Sequence, residues 1–323
     1  MMHRRTLLAT TLVAPAAIAL IGPASAEELF SSLSVFVPAG PGGGWDGLGR
    51  AIELVSRQAG LAGSFQFENV GGAGGTVGLP RFVSQKRGRP DALFIGGAVM
   101  VGAVLANRAP VGLKDVTPLA RMTTEPGVIV VPASSEFHDI AGLMAAYRAN
   151  PGAVATGGGS AGGIDHITLG LMLKSVGRSA REASYVAFAG GGPAQAALLG
   201  AQVKAGISGV SEFAEQVKAG RLRALATTGD ARSLDGVPTL KESGINVVIG
   251  NWRGVFGAPG ITEAQRAALV NFLTVLHDTA QWKELLTTRG WDDAFLKGDD
   301  FASFLRTDEA DTLAVLREVG LVT

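Results

Sequence analysis

Short apolar runs rich in β-branched and aromatic residues alternate along the chain with segments whose apolar residues recur at helical spacing. Leu33 to Val37 predicts a strand, and Leu48, Ala51, Ile52 and Val55 then mark one face of a helix. The same order returns several times, without a sequence repeat of about 20–50 residues. Strands that alternate with helices predict parallel sheets with helical crossover connections, which is an α/β architecture.

Glycine-rich turns follow six of the predicted strands and precede helical segments. A helix N-terminus presents unpaired N–H groups and the positive end of the helix dipole, and glycine lets a ligand approach the backbone closely. The sequence therefore predicts two walls of a cleft that binds an anionic group through backbone amides. The turns are residues 39–46, 71–76, 96–97, 157–163, 190–193 and 208–209.

Composition supports this interpretation and excludes several others. Glycine makes up 46 of the 323 residues, about twice its usual share, and the turns account for the excess. The absence of cysteine excludes disulfides, thiolate metal sites and cysteine nucleophiles. A formal net charge of zero makes nucleic acid a poor candidate partner. Asp46, Asp165 and His166 do not form a recognisable set of metal ligands.

The first residues have the three regions of a secretory signal. Met1 to Arg5 carries the positive charge, Thr6 to Ile21 is apolar, and Ala24 to Ala26 is a small-residue cleavage site. We therefore predict a signal peptide over residues 1–26, cleaved after Ala26, and a mature protein in the periplasm. The Arg4-Arg5 pair resembles a twin-arginine export signal, and the general export route stays open as the alternative.

The glycine turns divide the chain into two parts with three turns each. We predict a discontinuous first lobe from residues 27–126 and 255–323, and a second lobe from residues 127–254. Gly127 to Pro132 predicts a strand that crosses to the second lobe, and Val255 to Pro259 predicts the return. Two lobes joined by two strands are typical of a hinged binding protein that closes around its ligand.

Two further features carry candidate chemistry. The sequence from Gly158 to Gly162 satisfies G-x-S-x-G between a strand and a helix, the context of a hydrolase nucleophile at Ser160. The later histidines, His166 and His277, fall in helical segments that do not suit a catalytic partner, which favours binding over hydrolysis. Arg253 lies in a polar cluster between apolar runs, suited to bidentate carboxylate recognition at the cleft edge or to a structural ion pair.

From about Leu33 to Leu321 the sequence resembles the periplasmic solute-binding component of the tripartite tricarboxylate transporters, a family also called Bordetella uptake gene proteins. Its Trp-Asp, Ser-Ala-Gly-Gly and Asn-Trp-Arg-Gly forms are similar to the branch assigned to citrate and related tricarboxylates. Two positions depart from the pattern: Gly71 stands where many members of the family have proline, and Pro193 stands where glutamate is expected in that branch. The stretches that carry the resemblance are residues 38–46, 68–76, 158–166, 190–192, 211–213, 223–226, 237–242 and 251–254.

The resemblance implies a type II periplasmic-binding-protein fold, with two α/β lobes joined by two crossover strands and a ligand cleft between them. It also implies a monomer that captures a small carboxylate such as citrate and delivers it to a permease of one large and one small membrane subunit. It implies no catalysis, metal or cofactor. Two alternatives stay open: a periplasmic serine hydrolase that uses Ser160, and a ligand-sensing protein for a membrane receptor.

Members of this family usually hold the carboxylate with the first βα loop and the facing loop of the second lobe, here residues 39–46 and 160–166. We expect backbone amides of both loops to contact the carboxylate, with Arg253 or His166 adding positive charge for a citrate-like trianion. The expected ligand-binding residues are Ala39, Gly42, Gly43, Gly44, Trp45, Asp46, Gly74, Thr76, Ser160, Gly162, Gly163, Asp165, His166, Gly191 and Arg253.

Overall fold

The computed structural model describes residues 29–323, and the predicted signal peptide with its cleavage site lies outside this range. The strands of the described range form two separate sheets, one of six strands and one of five. Helices pack on both sheets. The architecture is therefore the pair of α/β lobes that the sequence predicts.

The first lobe is built on the six-stranded sheet. Its strands are β1 (Phe30–Val37), β2 (Ala62–Asn69), β3 (Ala92–Gly97), β4 (Thr117–Thr124), β10 (Arg253–Gly257) and β11 (Asp292–Lys297). They lie in the order β11-β4-β10-β3-β1-β2. β1 pairs in parallel with β2 and β3, whereas β10 is antiparallel to both β3 and β4. β11 is antiparallel to β4.

The second lobe repeats this plan with five strands. They are β5 (Gly127–Pro132), β6 (Thr156–Gly158), β7 (Tyr185–Ala187), β8 (Ala205–Gly209) and β9 (Leu222–Thr227). They lie in the order β7-β6-β8-β5-β9. β6 pairs in parallel with β7 and β8, and β5 is antiparallel to β8 and β9.

The sheets are mixed, whereas the sequence predicted parallel sheets. Strands that precede the glycine turns are parallel, so their carboxyl ends meet at one edge of each sheet. β5 and β10 enter their sheets from the other lobe and begin at that edge, so they run in the opposite direction. The direction of these two strands thus follows from the crossing between the lobes.

The chain crosses between the lobes directly beside the predicted crossing strands. Glu125 and Pro126 join β4 to β5, and the segment from Gly250 to Trp252 leads into β10. The Asn251 amide donates to the Glu125 carbonyl at 2.8 Å, and the Glu125 amide donates to the Asn251 carbonyl at 3.3 Å. The two crossings therefore lie side by side as one short, hydrogen-bonded connection.

Four of the six glycine-rich segments connect a strand to the next helix, and the other two, residues 96–97 and 208–209, are the last residues of their strands directly before a helix. The helices after these turns are α1 (Gly44–Gln58), α2 (Gly78–Gln85), α3 (Ala98–Ala106), α5 (Ile164–Ser175), α6 (Gly191–Leu199) and α7 (Val210–Lys218). The others are α4 (Ile140–Ala149), α8 (Glu263–Asp278), α9 (Ala280–Arg289) and α10 (Gly298–Glu318). Within residues 29–323, none of the helices has both the length and the apolar character needed to cross a membrane.

The long helix α10 begins on the first lobe and ends on the second. It packs on β4 and α3. The Arg181 side chain of the second lobe donates to the carbonyl of Gly320 at 2.6 Å, and Val319 lies against Gly170 of α5. Residues 319 and 320, which the sequence analysis assigns to the first lobe, therefore contact the second lobe. The lobe boundaries stay a prediction.

Each lobe has its own apolar core. In the first, the rings of Phe36, Phe82, Phe94 and Phe256 form a chain of contacts with centroid distances of 5.0 to 6.3 Å. Because Phe256 belongs to β10, this cluster also anchors the strand that returns from the second lobe. The turns at the sheet edges are thus carried by two independently packed bodies.

The lobes touch where α3 meets the turn before α5. A Cβ atom on Gly102 would lie 2.2 Å from the Gly162 carbonyl oxygen, and one on Gly162 would lie 2.2 Å from the Ala106 Cβ. Gly162 also has a φ of +77°, which disfavours other residues. The close approach of the lobes therefore requires glycine on both sides.

We predict that Gly102→Ala holds the lobes further apart, because the added methyl group collides with the backbone of Gly162. Alanine favours a helix over glycine by about 1 kcal/mol, so α3 itself is not weakened. Spin labels at Val77→Cys and Leu199→Cys, exposed positions on different lobes of a chain without cysteine, report the separation. Double electron–electron resonance should give a longer mean distance.

Gly47→Ala is the matched control for this substitution. It also places a methyl group in a helix, but its nearest neighbour is the Trp291 ring at an ordinary 3.8 Å. The label distance should stay unchanged in this variant. Equal distances in Gly102→Ala and the parent protein would show that the contact does not set the separation of the lobes.

Candidate functional site

A cleft between the two lobes is lined by residues from five of the six glycine-rich turns, and Val99 of α3 follows the sixth. It has a volume of about 590 Å³, including the part open to solvent. Two residues of the return crossing complete its wall. The lining consists of Pro38, Ala39, Gly43, Gly44, Trp45, Gly72, Gly74, Gly75, Val99, Gly159, Ser160, Asp165, Ala189, Gly190, Gly191, Ser208, Glu212, Asn251 and Arg253.

The helices that point at this cleft begin without a capping side chain. The residue before each of α1, α3, α5, α6 and α7 is a glycine, and none of the five makes a side-chain cap. Away from the cleft, α4, α8 and α9 are capped by Asp139, Thr262 and Thr279. Glycine caps leave the first N–H groups of the cleft helices to other partners.

Protein oxygens take some of these amides. The Gly44 amide donates to Glu212 Oε1 at 2.9 Å, and the Ala98 amide donates to the carbonyl of Trp252 at 3.1 Å. Within residues 29–323, the amides of Gly43, Trp45 and Gly191 have no hydrogen-bond partner. All three residues line the cleft, so amides without partners come from residues of both lobes at the same space.

Arg253 and Glu125 form a buried ion pair at the crossing, with Arg253 Nη2 donating to Glu125 Oε1. Their side chains are 1% and 0% exposed. The second carboxylate oxygen of Glu125 accepts from the Ser211 amide at 3.0 Å. In the described part of the chain, Arg253 Nη1 is buried without a partner, and the residue lines the cleft. Arg253 therefore forms a structural ion pair and also lies at the cleft, the two arrangements that the sequence left open.

Two glycines make room for this ion pair. A Cβ atom on Gly44 would lie 2.4 Å from Arg253 Nη2, and one on Gly209 would lie 2.4 Å from Glu125 Oε1. No side chain fits at either position without moving a charged group. These two glycines are therefore required by the packing of charges against the backbone.

Burial changes the charge of Asp165 and of His166. Burial raises the pKa of Asp165 to about 7, even though its carboxylate accepts from the Gly159 amide at 2.7 Å. Burial lowers the pKa of His166 to about 4. Its Nδ1 accepts from the Gly162 amide at 3.1 Å, and its ring stacks on Tyr185 with centroids 4.1 Å apart. His166 is therefore neutral at pH 7 and supplies no positive charge.

The structure brings nine of the fifteen predicted site residues to the cleft and leaves six outside its lining. Those at the cleft are Ala39, Gly43, Gly44, Trp45, Gly74, Ser160, Asp165, Gly191 and Arg253. Those outside are Gly42, Asp46, Thr76, Gly162, Gly163 and His166.

The six outside residues are engaged within the turns themselves. The Gly42 amide donates to the Asp46 carboxylate at 3.1 Å, and Asp46 also accepts from the Asn69 side chain at 3.0 Å. The Gly163 amide donates to the Ser160 carbonyl at 3.0 Å, and Thr76 Oγ1 donates to the Ala73 carbonyl at 2.8 Å. The amides of Gly42, Gly162 and Gly163 thus make hydrogen bonds within the loops in this structure, and their contact with a carboxylate stays a prediction.

Four polar residues of the site were not among those predicted. Ser208, Glu212 and Asn251 line the cleft, and Glu125 holds Arg253. Glu212 and Asn251 lie in stretches that carried the family resemblance, which was the available signal. Glu125 immediately precedes the predicted crossing strand, and its position there gave no indication of its partner.

The geometry does not favour a hydrolase. Ser160 lines the cleft, but within residues 29–323 no hydrogen bond joins its hydroxyl to a histidine. His277 lies on α8, with its ring nitrogens near Asp278 and Asp293. A nucleophilic serine requires a base within hydrogen-bond reach. The described residues also contain no group of three or more side chains suited to a metal ion.

Comparison of sequences connects this architecture to a family. The family model described as the tripartite tricarboxylate transporter family receptor matches residues 53–321. Protein BugT of Bordetella pertussis (strain Tohama I) is 26% identical over 329 residues, which cover 99% of each chain.

Comparison of structures gives the same fold. The periplasmic binding protein BugD has a TM-score of 0.80 at 20% identity, covering 90% of this chain and 98% of that one. MatC from Rhodopseudomonas palustris, solved with bound malate, has a TM-score of 0.77 at 22% identity, covering 88% of this chain and 98% of MatC. These likenesses establish a periplasmic-binding-protein fold of two α/β lobes.

We predict that Arg253→Met lowers the free energy of unfolding by about 3–5 kcal/mol, because it leaves the buried carboxylate of Glu125 without its partner. Urea denaturation at pH 7 measures the change. The double variant Arg253→Met with Glu125→Leu should recover most of the loss, since both buried charges are then removed. Equal losses in the single and double variants would show that the pairing of the two charges is not what stabilises the crossing.

We also predict a pH-dependent effect of Asp165→Asn. Because the pKa of Asp165 is raised from 3.8 to about 7, folding favours its protonated form, and the stability from this group is lost as pH rises through that window. The variant does not ionise there. Its free energy of unfolding relative to the parent protein should therefore increase between pH 4 and pH 8.

Urea denaturation of both proteins at several pH values measures this difference. Taking the difference removes the opposite contribution of His166, whose lowered pKa makes stability decrease as pH falls from 6.5 to 4. A difference that stays constant from pH 4 to pH 8 would mean that Asp165 has an ordinary pKa.

Proposed function

We propose that the protein, which belongs to the tripartite tricarboxylate transporter receptor family, captures a small carboxylate and delivers it to a membrane permease. One observation carries the proposal. The amides of Gly43, Trp45 and Gly191 and the buried Nη1 of Arg253 have no partners in the described chain, and all four residues line a single cleft. N–H groups at helix starts and a guanidinium are the donors that suit a carboxylate.

We further propose that the ligand carries one or two carboxyl groups, in preference to a citrate-like trianion. A trianion was expected to need the positive charge of Arg253 or His166. The charge of Arg253 is offset by Glu125, and His166 is neutral at pH 7. Glu212 adds a carboxylate to the lining, and Asp165, whose pKa is raised to about 7 by burial, adds a partial negative charge at pH 7. The malate bound to MatC, a dicarboxylate, is consistent with this choice.

The cellular setting of the proposal follows from the family. We propose that residues 1–26 are a signal peptide cleaved after Ala26, and that the mature chain works as a monomer in the periplasm. Its lobes would comprise residues 27–126 with 255–323 and residues 127–254. The large and small membrane subunits of the permease would receive the ligand from the closed protein. Membership of a family of transporter receptors supports this setting.

Isothermal titration calorimetry with a panel of carboxylates at pH 7 tests the function. We expect saturable binding of a mono- or dicarboxylate, such as malate, and at least tenfold weaker binding of citrate, since like charges brought together in a cleft are strongly disfavoured.

Gly43→Ala is the informative variant for this panel. Its methyl group would enter the cleft beside Glu212 at an ordinary 3.8 Å, so the fold tolerates it while ligand access is reduced. Gly47→Ala, outside the cleft lining, is the control and should bind as the parent does. Absence of binding by every member of the panel would refute the proposed function. Tightest binding of citrate would refute the preference for fewer carboxyl groups.

A further inference from the structure

Glu212 reaches from one lobe to the other across the cleft. The residue lies in the first turn of α7 on the second lobe, and its Oε1 accepts from the Gly44 amide of the first lobe at 2.9 Å. Its Oε2 accepts from the Ser208 hydroxyl on its own lobe. The first amide of α1 therefore donates its hydrogen bond to a carboxylate of the protein itself, at the position where we expected a ligand carboxylate to accept it.

The glycine turns on both sides enclose this carboxylate. A Cβ atom on Gly191 would lie 2.4 Å from Glu212 Oε2, and one on Gly43 would lie 3.8 Å from Oε1. Glycine at position 191 is thus needed for the carboxylate to fit. Glu212 therefore lies between the starts of α1 and α6, two of the helix N-termini that face the cleft.

No basic side chain of the described residues neutralises this carboxylate. The nearby guanidinium of Arg253 donates to Glu125, and the hydrogen-bond partners of Glu212 are a backbone amide and a hydroxyl group. Asp165 lines the same cleft. The Gly44 amide thus donates to a negative charge that any incoming anion must also approach.

We propose that Glu212 is an internal carboxylate that latches the two lobes when no ligand is bound and competes with the ligand for the Gly44 amide. This inference rests on the proposed function and names the residue that restricts the charge of the ligand. A ligand carboxylate displaces Glu212 from Gly44. Each further negative charge on the ligand is then repelled by the Glu212 carboxylate within the same cleft.

The competition is tested by titration calorimetry of Glu212→Gln against a monocarboxylate and a dicarboxylate. The substitution removes the charge and keeps the size and an acceptor oxygen. We expect the monocarboxylate to bind about tenfold more tightly than to the parent protein and the dicarboxylate to gain more, because removal of a like charge acts on each carboxylate. Glu215→Gln, an exposed glutamate on the same helix, is the matched control and should change neither affinity.

The latch is tested without any ligand. In Glu212→Ala, the labels at Val77→Cys and Leu199→Cys should lie further apart by double electron–electron resonance, because the hydrogen bond to Gly44 across the cleft is lost. Glu215→Ala should leave the distance unchanged. A distance that is the same in Glu212→Ala and the parent overturns the proposal, and circular dichroism verifies that each variant is folded.

The outcomes separate this proposal from the function on which it rests. If the parent protein binds carboxylates and Glu212→Gln binds them equally or more weakly, the function stands and the competition is overturned. Weaker binding would mean that Glu212 accepts a hydrogen bond from the ligand. If neither protein binds a carboxylate, the proposed function fails, and so does the competition. Tighter binding together with a longer label distance supports both parts of the inference.

Discussion

The guanidinium of Arg253 and the carboxylate of Glu125 meet on the two chain segments that cross between the lobes, where neither is exposed to solvent. A buried charge without a partner costs several kcal/mol, so each group requires the other in place. Glu125 also accepts the Ser211 amide at the start of α7, and the guanidinium lies against Gly44 at the start of α1. The ion pair therefore holds one helix of each lobe at a defined position relative to the crossing.

The helix starts around this pair share one constraint, which is where their first N–H groups find acceptors. Elsewhere Asp139, Thr262 and Thr279 cap their own helices, so an acceptor next to the helix start satisfies an amide there. At the cleft, the glycine before each helix has no side chain to accept a hydrogen bond, so distant groups accept instead. Glu212 accepts from the Gly44 amide, and the Trp252 carbonyl accepts from the Ala98 amide. The amides that find no such partner belong to residues that line the cleft. They are the donors left for a ligand after the fold has satisfied the others.

The parts of the fold that follow from neighbours in sequence could be predicted, and those that depend on distant partners could not. A β-branched run, a glycine turn and an apolar helix face lie within about 25 residues, as in β1 and α1, so their signal is local. Gly44 and Glu212 are 168 residues apart, and Arg253 and Glu125 are 128 apart. The Gly42 amide, by contrast, has a local partner in Asp46, four residues away at the start of α1, where an aspartate commonly caps a helix. The reversed direction of β5 and β10 depends instead on where the lobes join.

The charges explain how a chain with no net charge and few basic groups at its cleft can select an anion. An amide dipole attracts a carboxylate only at short range and in one direction, whereas a guanidinium or ammonium group acts over a longer distance. In this cleft the one arginine is offset by Glu125, and His166 is neutral at pH 7. Under the proposed function, a single carboxylate gains the amides at the starts of α1 and α6. Any further charge meets the Glu212 carboxylate, and Asp165 where it is ionised, with no matching cation among the described residues of the lining. The high glycine content therefore does more than allow tight turns: under the proposed function, it provides donors for one carboxylate group without favouring additional negative charge.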